Sequence, residues 1–287
     1  MFPVEKMCRV LGVSTSGYYY WLKHPVGIRA SRQQRLLSAI TRVYRQSKRR
    51  YGSPRVTTEL QAQGIAVSRP LVARLMQKAG LRSVVSKKYR VQTTDSSHPH
   101  PVAANHLNRD FAASRPGCKW VSDLTYIRTG EGWLYLTAIL DLYDRKVVGW
   151  ALSPTLEAEA SSVAAWQMAL GNRPLSGPLL FHSDRGVQYA CGTFRKKLAG
   201  KSVQQSMSRK GNCWDNAVAE SFFKTLKTEM VYQQAFKTRA QARLAVFEYI
   251  EVWYNRQRRH SSLGYLTPCQ KEKQYLIKQM MPQNPLH

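Results

Sequence analysis

The spacing of the apolar residues changes near residue 118, from a helical period to strict alternation. Residues 119–128 (KWVSDLTYIR), 133–143 and 146–152 alternate apolar with polar side chains, which is the period of a β-strand. Turn residues separate these segments, so the sequence predicts an antiparallel meander. Later segments predict a helix over 156–170, a strand over 178–181, a helix near 192–199, a strand near 203–207 and a helix over about 215–230. This order predicts an α/β domain, in which helices flank a mixed sheet.

The residues before the meander have the pattern of helices. Three helices are expected, over 31–47, 54–63 and 69–79. The third follows a tight turn and begins after Ser68, a good N-cap residue, so the three form a candidate helix-turn-helix. An ordinary three-helix module with a solvated basic face is the alternative. A shorter helix pair over 4–22 is a second, smaller helix-turn-helix candidate.

The chain is therefore expected to have four parts. Between the helices and the meander the periodicity fails, and Ser, Thr, His and Pro accumulate, as in a linker or an extended arm. The expected parts are a helical DNA-binding region over 1–82, a linker or arm over 83–117, a catalytic core over 118–231 and a C-terminal helical basic segment over 232–287.

Charge indicates the class of partner. The chain has 44 Lys and Arg residues against 17 Asp and Glu, a net charge of +27. Residues 1–109 carry 20 of the basic and 3 of the acidic side chains, an excess that favours nucleic acid as the partner over a merely solvated or ribosome-associated surface. Five scattered cysteines without a C-x-x-C pair disfavour a disulfide scaffold and a zinc finger. The longest apolar run is too short to cross a bilayer.

Three carboxylates stand where burial makes a lone charge costly. Asp123 lies in the middle of a predicted strand, Asp184 follows the strand over 178–181, and Glu220 lies on the last predicted helix. Each alone has an ordinary interpretation: a strand-edge acid, a turn acid, and a surface Glu paired with Lys224. Hard divalent cations, however, bind several oxygen ligands from distant parts of a chain. Together, the three acids therefore indicate a divalent metal site.

Longer motifs around these acids carry a family resemblance. WVSDLTYI, LDLYDRKVVGW, FHSDRGVQY, GNCWDNAVAESFFKTLKTE and YNRQRRHSSLGYLTP resemble the catalytic half of bacterial insertion-sequence transposases of the OrfB type. The 35 residues between Asp184 and Glu220 match the DDE pattern of these enzymes and of retroviral integrases, and Lys227 follows Glu220 by seven residues. RRYGSPRVTTELQAQGIAVSRPLVARLMQKAGLR resembles the helix-turn-helix region of the same transposases. The sequence has no His-His-Cys-Cys zinc module of the retroviral kind.

The resemblance implies a ribonuclease-H-like integrase core that transfers phosphoryl groups on DNA. Asp123, Asp184 and Glu220 would hold Mg²⁺ or Mn²⁺, two ions roughly 3.5–4 Å apart. Water would nick the transposon end, and the freed 3′-hydroxyl would then attack a second phosphate. The implied partners are double-stranded DNA of the transposon ends and the target, further copies of the chain on that DNA, and the product of an upstream reading frame. The expected location is the bacterial cytoplasm, at the nucleoid.

Basic side chains are expected to contact this DNA. Arg69, Arg74, Gln77 and Lys78, on the outward face of the third helix, are predicted to read bases in the major groove. The basic cluster Lys48, Arg49 and Arg50 and the pair Lys224 and Lys227 are predicted to bind phosphates. Two helical turns separate Lys227 from Glu220, which predicts that its ammonium lies roughly 10 Å along the helix from the metal ions.

Five neighbours of the acids are given lesser roles. His182 is expected to position the second acid rather than to polarise a phosphate, and Asn216 or Asp215 to cap the last helix. Asp144 is expected in a turn, and Asp141 is a weak site candidate.

Two other functions stay open at this point. A nuclease of the same fold would cut DNA without joining it. A DNA-binding regulator would combine a functional helix-turn-helix with an inactive catalytic core. The intact set of three acids argues against this alternative.

Overall fold

The structure, a computed structural model, describes residues 3–24, 27–84 and 99–280. The chain forms two compact units, residues 1–84 and 85–287. No helix in the described part of the chain is long and apolar enough to cross a membrane.

The first unit consists of helices. They are α1 (Val4–Val10), α2 (Thr15–Lys23), α3 (Ile28–Gln46), α4 (Ser53–Ala62) and α5 (Arg69–Lys78). The last three begin and end within three residues of the predicted bounds. In the short N-terminal pair, Ser14 Oγ accepts a hydrogen bond from the Gly17 N–H at 3.0 Å and so caps α2. Ile40, Leu60 and Val72 are fully buried, which joins α3, α4 and α5 around one small core.

The second unit is built on a five-stranded mixed sheet. Its strands are β1 (Lys119–Thr129), β2 (Gly132–Asp141), β3 (Val147–Ser153), β4 (Leu179–Ser183) and β5 (Val203–Met207), in the spatial order β3-β2-β1-β4-β5. The first three form the predicted antiparallel meander, β4 lies parallel to β1, and β5 lies parallel to β4. The mixed sheet and its helices confirm the predicted fold class.

Six α-helices accompany the sheet in the described part of the second unit. They are α6 (Ala164–Asn172), α7 (Val187–Ala190), α8 (Gly192–Leu198), α9 (Ala217–Glu229), α10 (Arg239–Phe247) and α11 (Pro268–Met280). A π-helical turn over Glu159–Val163 leads into α6, and another over Glu248–Tyr254 continues α10. A 3₁₀ turn over Cys213–Asn216 leads into α9.

The described residues of the predicted linker belong to the two units, because Ser83 and Val84 hydrogen-bond within the helical unit and the remainder lies in the sheet unit. Residues 85–98 lie outside the described residues, whereas residues 99–117 belong to the second unit. Leu107 is buried, and its N–H donates to Ser206 Oγ at 3.2 Å. The sequence lacks periodicity here because these residues form an irregular segment held by side chains of β5 rather than a regular element.

One face of the sheet packs an aromatic core. Trp166 of α6 meets Trp120 of β1 and Phe181 of β4 edge to face, with ring centroids 5.6 and 5.4 Å apart. Tyr189 and Phe194 close the cluster, and all five rings are buried. Because these rings hold β1 and β4 side by side, the core determines where the C-terminal ends of the two strands lie.

Strand β3 and helix α6 approach each other closely at Gly149. A Cβ atom there would run into the carbonyl oxygen of Ala165 and would lie 2.7 Å from the backbone nitrogen of Ala169. Backbone atoms of a helix cannot move aside as a flexible side chain would. We therefore expect Gly149→Ala to lower the free energy of unfolding by about 1–3 kcal/mol.

Gly171→Ala is the matched control for this variant. Gly171 lies in α6 itself, and a Cβ there would have no atom within 4 Å. This variant should be as stable as the wild type or up to about 1 kcal/mol more stable, because alanine favours the helix. Urea unfolding of both variants measures the difference, and a Gly149→Ala protein as stable as the wild type would contradict the close approach.

Candidate active site

The pairing of β1 with β4 brings two of the predicted acids to the same edge of the sheet. Asp123 and Asp184 each lie two residues beyond Val121 and His182, the last residues paired between these parallel strands. Asp123 Oδ1 accepts a hydrogen bond from the backbone N–H of Leu124 at 2.8 Å. Asp184 Oδ1 accepts one from the backbone N–H of Gly186 at 2.9 Å. These bonds orient each carboxylate against its own backbone.

The third acid, Glu220, lies in the first turn of α9 and is half-buried. Burial raises the pKa of Glu220, and the negative charge of Asp184 raises it further. Burial also raises the pKa of Asp123 well above its usual range, with repulsion from Asp184 and Glu220 adding to the effect. The three acids therefore lie close enough for their negative charges to repel one another.

This donor set fits a divalent metal ion. Carboxylate oxygens are the ligands that hard divalent cations prefer. No three His, Cys, Asp or Glu side chains, among the residues that the structure describes, are already gathered closely enough to hold a metal ion. A bound cation would therefore have to draw the three acids together, and it would relieve their mutual repulsion.

Lys227 lies against β1. Its side chain is buried, with 8% exposed, and its Nζ lies 4.9 Å from the ring centroid of Tyr126. Burial lowers the pKa of Lys227, while attraction to Asp123 opposes this shift. The ammonium is therefore within electrostatic reach of the first acid. Lys224, by contrast, is exposed.

The predicted capping of α9 by Asp215 or Asn216 is wrong, because both side chains bind elsewhere. Asp215 is fully buried and accepts hydrogen bonds from Arg209 at 2.8 Å and from Arg109 at 2.9 Å. The Arg209 guanidinium in particular holds the pKa of this carboxyl far below its usual range. Asn216 Nδ2 donates to the carbonyl oxygen of Ser122 at 3.0 Å. Hydrogen bonds therefore fix the turn before α9 to β1 and to Arg109, which lies in the segment before β1.

His182 is a buried, neutral ring behind the second acid. Burial lowers the pKa of His182 to about 4. Ser206 Oγ already accepts the backbone N–H groups of His106 and Leu107, so its own hydroxyl donates to His182 Nδ1 at 2.8 Å. Nε2 then carries the proton and donates to Ser208 Oγ at 3.1 Å. The ring therefore positions the end of β4, which is the role that the sequence favoured.

Asp141 and Asp144 belong to a buried ion-pair network. Arg173, at the end of α6, lies 2.6 Å from Asp141, 2.7 Å from Asp144 and 2.6 Å from Glu272 of α11. Asp141 also accepts the indole N–H of Trp120 at 2.9 Å. The network joins α6, the β2–β3 turn and α11, so Asp141 has a structural role and is no longer a site candidate. Sequence reasoning missed Arg173 because nothing in the local pattern marks it.

A second buried network holds the far end of α9, and the sequence did not reveal it either. The carboxylate of Glu229 is fully buried and lies 3.0 Å from Arg258 Nη2. The Tyr249 hydroxyl and the Trp253 indole N–H donate to the same carboxylate at 3.0 and 3.2 Å. Since α9 also carries Glu220, this network fixes the helix that brings the third acid to the site.

In the helical unit, most of the predicted DNA contacts are exposed. These are Arg69, Arg74, Gln77 and Lys78 on α5, and Lys48 and Arg49 in the turn after α3. Val72, Leu75 and Met76 are buried on the opposite side of α5. Arg50 departs from the prediction, because only 7% of it is exposed and its side chain is held within the unit.

Comparison with family models and with other sequences gives one consistent result. Two models described as "Integrase core domain" match residues 113–213 and 201–268, and one described as "HTH-like domain" matches residues 31–89. The chain is 42% identical over 277 residues to "Transposase InsF for insertion sequence IS3A" of Escherichia coli K12, with 96% of each chain covered. It is 43% identical over 269 residues to "Insertion element IS600 uncharacterized 31 kDa protein" of Shigella sonnei, covering 94% of this chain and 98% of that one.

Solved structures of integrases are also similar. A chain of the simian T-cell lymphotropic virus intasome, solved in complex with the PP2A regulatory subunit B56 gamma, is 12% identical with a TM-score of 0.48, covering 86% of this chain and 76% of that one. The HTLV-2 integrase catalytic core domain in complex with magnesium is 14% identical with a TM-score of 0.43, covering 56% of this chain and 99% of that one.

Asp141→Asn tests the structural role of the Arg173 network. Removing one buried charge leaves Arg173 incompletely paired, so we expect the free energy of unfolding to fall by about 2–4 kcal/mol. Asp110→Asn is the control, because Asp110 pairs with Lys119 at the surface and its removal should leave stability unchanged. Urea unfolding measures both. An Asp141→Asn protein of normal stability would return Asp141 to the site candidates.

Proposed function

We propose that Asp123, Asp184 and Glu220 are the residues with which this protein cuts and joins DNA. The chain belongs to the transposases of insertion sequences of the IS3 kind. The observation that carries this proposal is that the three acids lie close enough to repel one another, where the pairing of β1 with β4 ends and α9 begins. Partly buried acids that repel one another destabilise a fold unless they bind something positive.

The proposed cofactor is Mg²⁺ or Mn²⁺, with two ions in each site. When bound, such ions supply positive charge to the attacking and leaving oxygens of a phosphoryl transfer. Asp123 would offer its oxygens from the middle of β1 and Asp184 from the end of β4, two strands that the aromatic core holds side by side, and Glu220 would offer its own from α9. Because the pKa values of Asp123 and Glu220 are raised, acid would protonate these residues and weaken their hold on a cation.

The same three acids would serve two successive reactions. In the first, water attacks a phosphate at the transposon end, and a 3′-hydroxyl leaves. In the second, that 3′-hydroxyl attacks a phosphate of the target strand, and another 3′-hydroxyl leaves. Both are in-line displacements at phosphorus, so one arrangement of carboxylates suits both.

The two lysines of α9 would contact different phosphates. Lys227 lies over Tyr126 and within electrostatic reach of Asp123, so we assign it to the reacting phosphate or its immediate neighbour. Lys224 is exposed and suits a phosphate farther along the strand. Its strongly hydrated ammonium would bind there as a point charge.

The helical unit would recognise the transposon ends. The exposed polar face of α5 has the form of a recognition helix, and Lys48 and Arg49 would add phosphate contacts. The proposed partners are double-stranded DNA of the ends and the target, further copies of this chain on that DNA, and the product of an upstream reading frame. Such a substrate would locate the protein at the bacterial nucleoid.

The two alternative functions are not favoured. The IS3 relatives that cover almost the whole chain carry the name transposase, which a nuclease without joining activity would not share. A regulator with an inactive core would have no need for three acids held in mutual repulsion.

Asp123→Asn, Asp184→Asn and Glu220→Gln should each abolish nicking and joining, while folding and DNA binding persist. Each amide keeps the shape of the side chain but removes the charge that holds a cation. Nicking and strand transfer are measured on end duplexes with labelled 3′ ends, in Mg²⁺ and after chelation. Glu157→Gln, an exposed acid, is the control and should retain full activity.

The outcomes separate the candidate functions. A variant that still nicks at the normal rate would remove its residue from the site. Wild-type protein that nicks but never joins would be a nuclease, and wild-type protein that binds ends but neither nicks nor joins in Mg²⁺ would be a regulator.

Arg74→Ala should weaken binding to the element's own end by about 1–3 kcal/mol and leave binding to an unrelated duplex almost unchanged. The reason is that a base-reading arginine contributes only where its base is present. Arg35→Ala, an exposed arginine of α3, is the control and should show no such difference between the two duplexes. Binding titrations at fixed salt measure all four affinities. Equal losses of Arg74→Ala on both duplexes would mean that Arg74 contacts only phosphate.

A further inference from the structure

Trp214 is a large apolar side chain that lies in solvent beside the candidate active site. It is 68% exposed, and it lies in the 3₁₀ turn six residues before Glu220. A singly exposed apolar residue needs no explanation by itself. The residues around Trp214, however, indicate a binding role for its exposed side chain.

The turn that carries Trp214 is held rigidly on its C-terminal side. The next residue, Asp215, is fully buried and accepts hydrogen bonds from Arg209, Arg109 and Asn105, all at 2.8–2.9 Å. Asn216 is also buried and donates to the backbone of β1. The exposure of the indole is therefore not that of a loose loop, because the chain is fixed while the ring is left outside.

The 3₁₀ turn of Trp214 is next to the strand of Asp123 on one side and to the helix of Glu220 on the other. Asn216 Nδ2 reaches the carbonyl oxygen of Ser122, the residue directly before Asp123, at 3.0 Å. On the other side the turn runs straight into α9, whose first turn carries Glu220. Trp214 therefore lies in a turn that contacts the backbone beside Asp123 and leads into the helix of Glu220.

Two arginines bind Asp215, the residue that follows Trp214. The side chains of Arg109 and Arg209 are 45% and 49% exposed although both bind Asp215, and Lys210 is exposed as well. Asp215 offsets one of these three positive charges, which leaves an excess of two. An exposed aromatic ring within a positive surface is the combination with which proteins bind single nucleotides, since the ring stacks on a base and the cations hold its phosphates.

We propose that Trp214 stacks on a DNA base unpaired from the duplex next to the phosphate that is cut, with Arg109 and Arg209 at the flanking phosphates. The inference rests on the proposed function and deepens it, because it assigns a nucleobase-binding site beside the acids. Stacking uses the face that all four bases share, so this site would tolerate any base. Holding that base out of the helix would open the duplex and bring the backbone to the acids.

The test uses the full chain and two versions of its own end duplex. One is fully paired, and the other carries mismatches on either side of the cut so that it is already open. Trp214→Ala should nick the paired duplex about tenfold more slowly than the wild type, the size expected for losing one base stack. It should nick the open duplex at nearly the wild-type rate, because the duplex no longer has to be opened. Trp214→Phe should keep most of the activity, and Trp214→Leu should lose it, since leucine is apolar but has no ring.

A fluorescent base gives a second readout. 2-Aminopurine placed next to the cut should change its emission when the wild type binds, and this change should be absent with Trp214→Ala. Leu244→Ala removes an equally exposed apolar side chain from α10 and should behave as wild type in every assay.

Several outcomes would overturn the inference. These outcomes are nicking of both duplexes by Trp214→Ala at the wild-type rate, nicking of both equally slowly, and wild-type activity of Trp214→Leu. A failure here is distinct from a failure of the proposed function. If the wild type nicks in Mg²⁺, Asp184→Asn does not, and Trp214→Ala equals the wild type, then only the base-binding site is wrong.

Discussion

Mutual repulsion among three carboxylates is the constraint on which the rest of the sheet unit depends. Repulsion from Asp184 helps to raise the pKa of Asp123 and of Glu220, and Glu220 adds to the effect on Asp123, so the fold must hold these acids against a force that separates them. Two sets of contacts do this. The aromatic core around Trp166 fixes β1 beside β4. The buried pair of Glu229 with Arg258 fixes the far end of α9, the helix of the third acid.

Much of this architecture was predictable because it rests on local patterns. The alternation in residues 119–152 predicted the meander, and the helical period with Ser68 as N-cap residue predicted α5. An acid within a buried strand pattern is locally anomalous, which is why Asp123 stood out. The parallel pairing of β1 with β4 was not in the sequence pattern, and Asp184 was grouped with Asp123 by metal-ligand chemistry and then by the family resemblance rather than by the register.

The remaining features depend on partners that are distant in sequence, which no periodicity encodes. The seven-residue spacing of Lys227 from Glu220 gave its position along α9, but its burial against Tyr126 depends on a contact with β1 that this spacing does not encode. Asp215 was expected to cap a helix, but arginines from two other segments bind it. Arg50 was expected to face DNA because it follows two exposed basic residues, yet it packs into the helical unit. In each case a tertiary contact decides where the side chain lies.

The short pairing of β1 with β4 has a consequence for the order in which the chain matures. Asp123 and Asp184 are 61 positions apart, and Glu220 follows 36 positions later, so these groups meet only after long segments have closed. During synthesis the helical unit emerges first and can fold from local contacts. The third acid emerges much later, and its helix is secured only when Arg258 has left the ribosome. In a nascent chain, α5 therefore folds before Asp123, Asp184 and Glu220 have come together. The capacity to break a phosphodiester bond arises last.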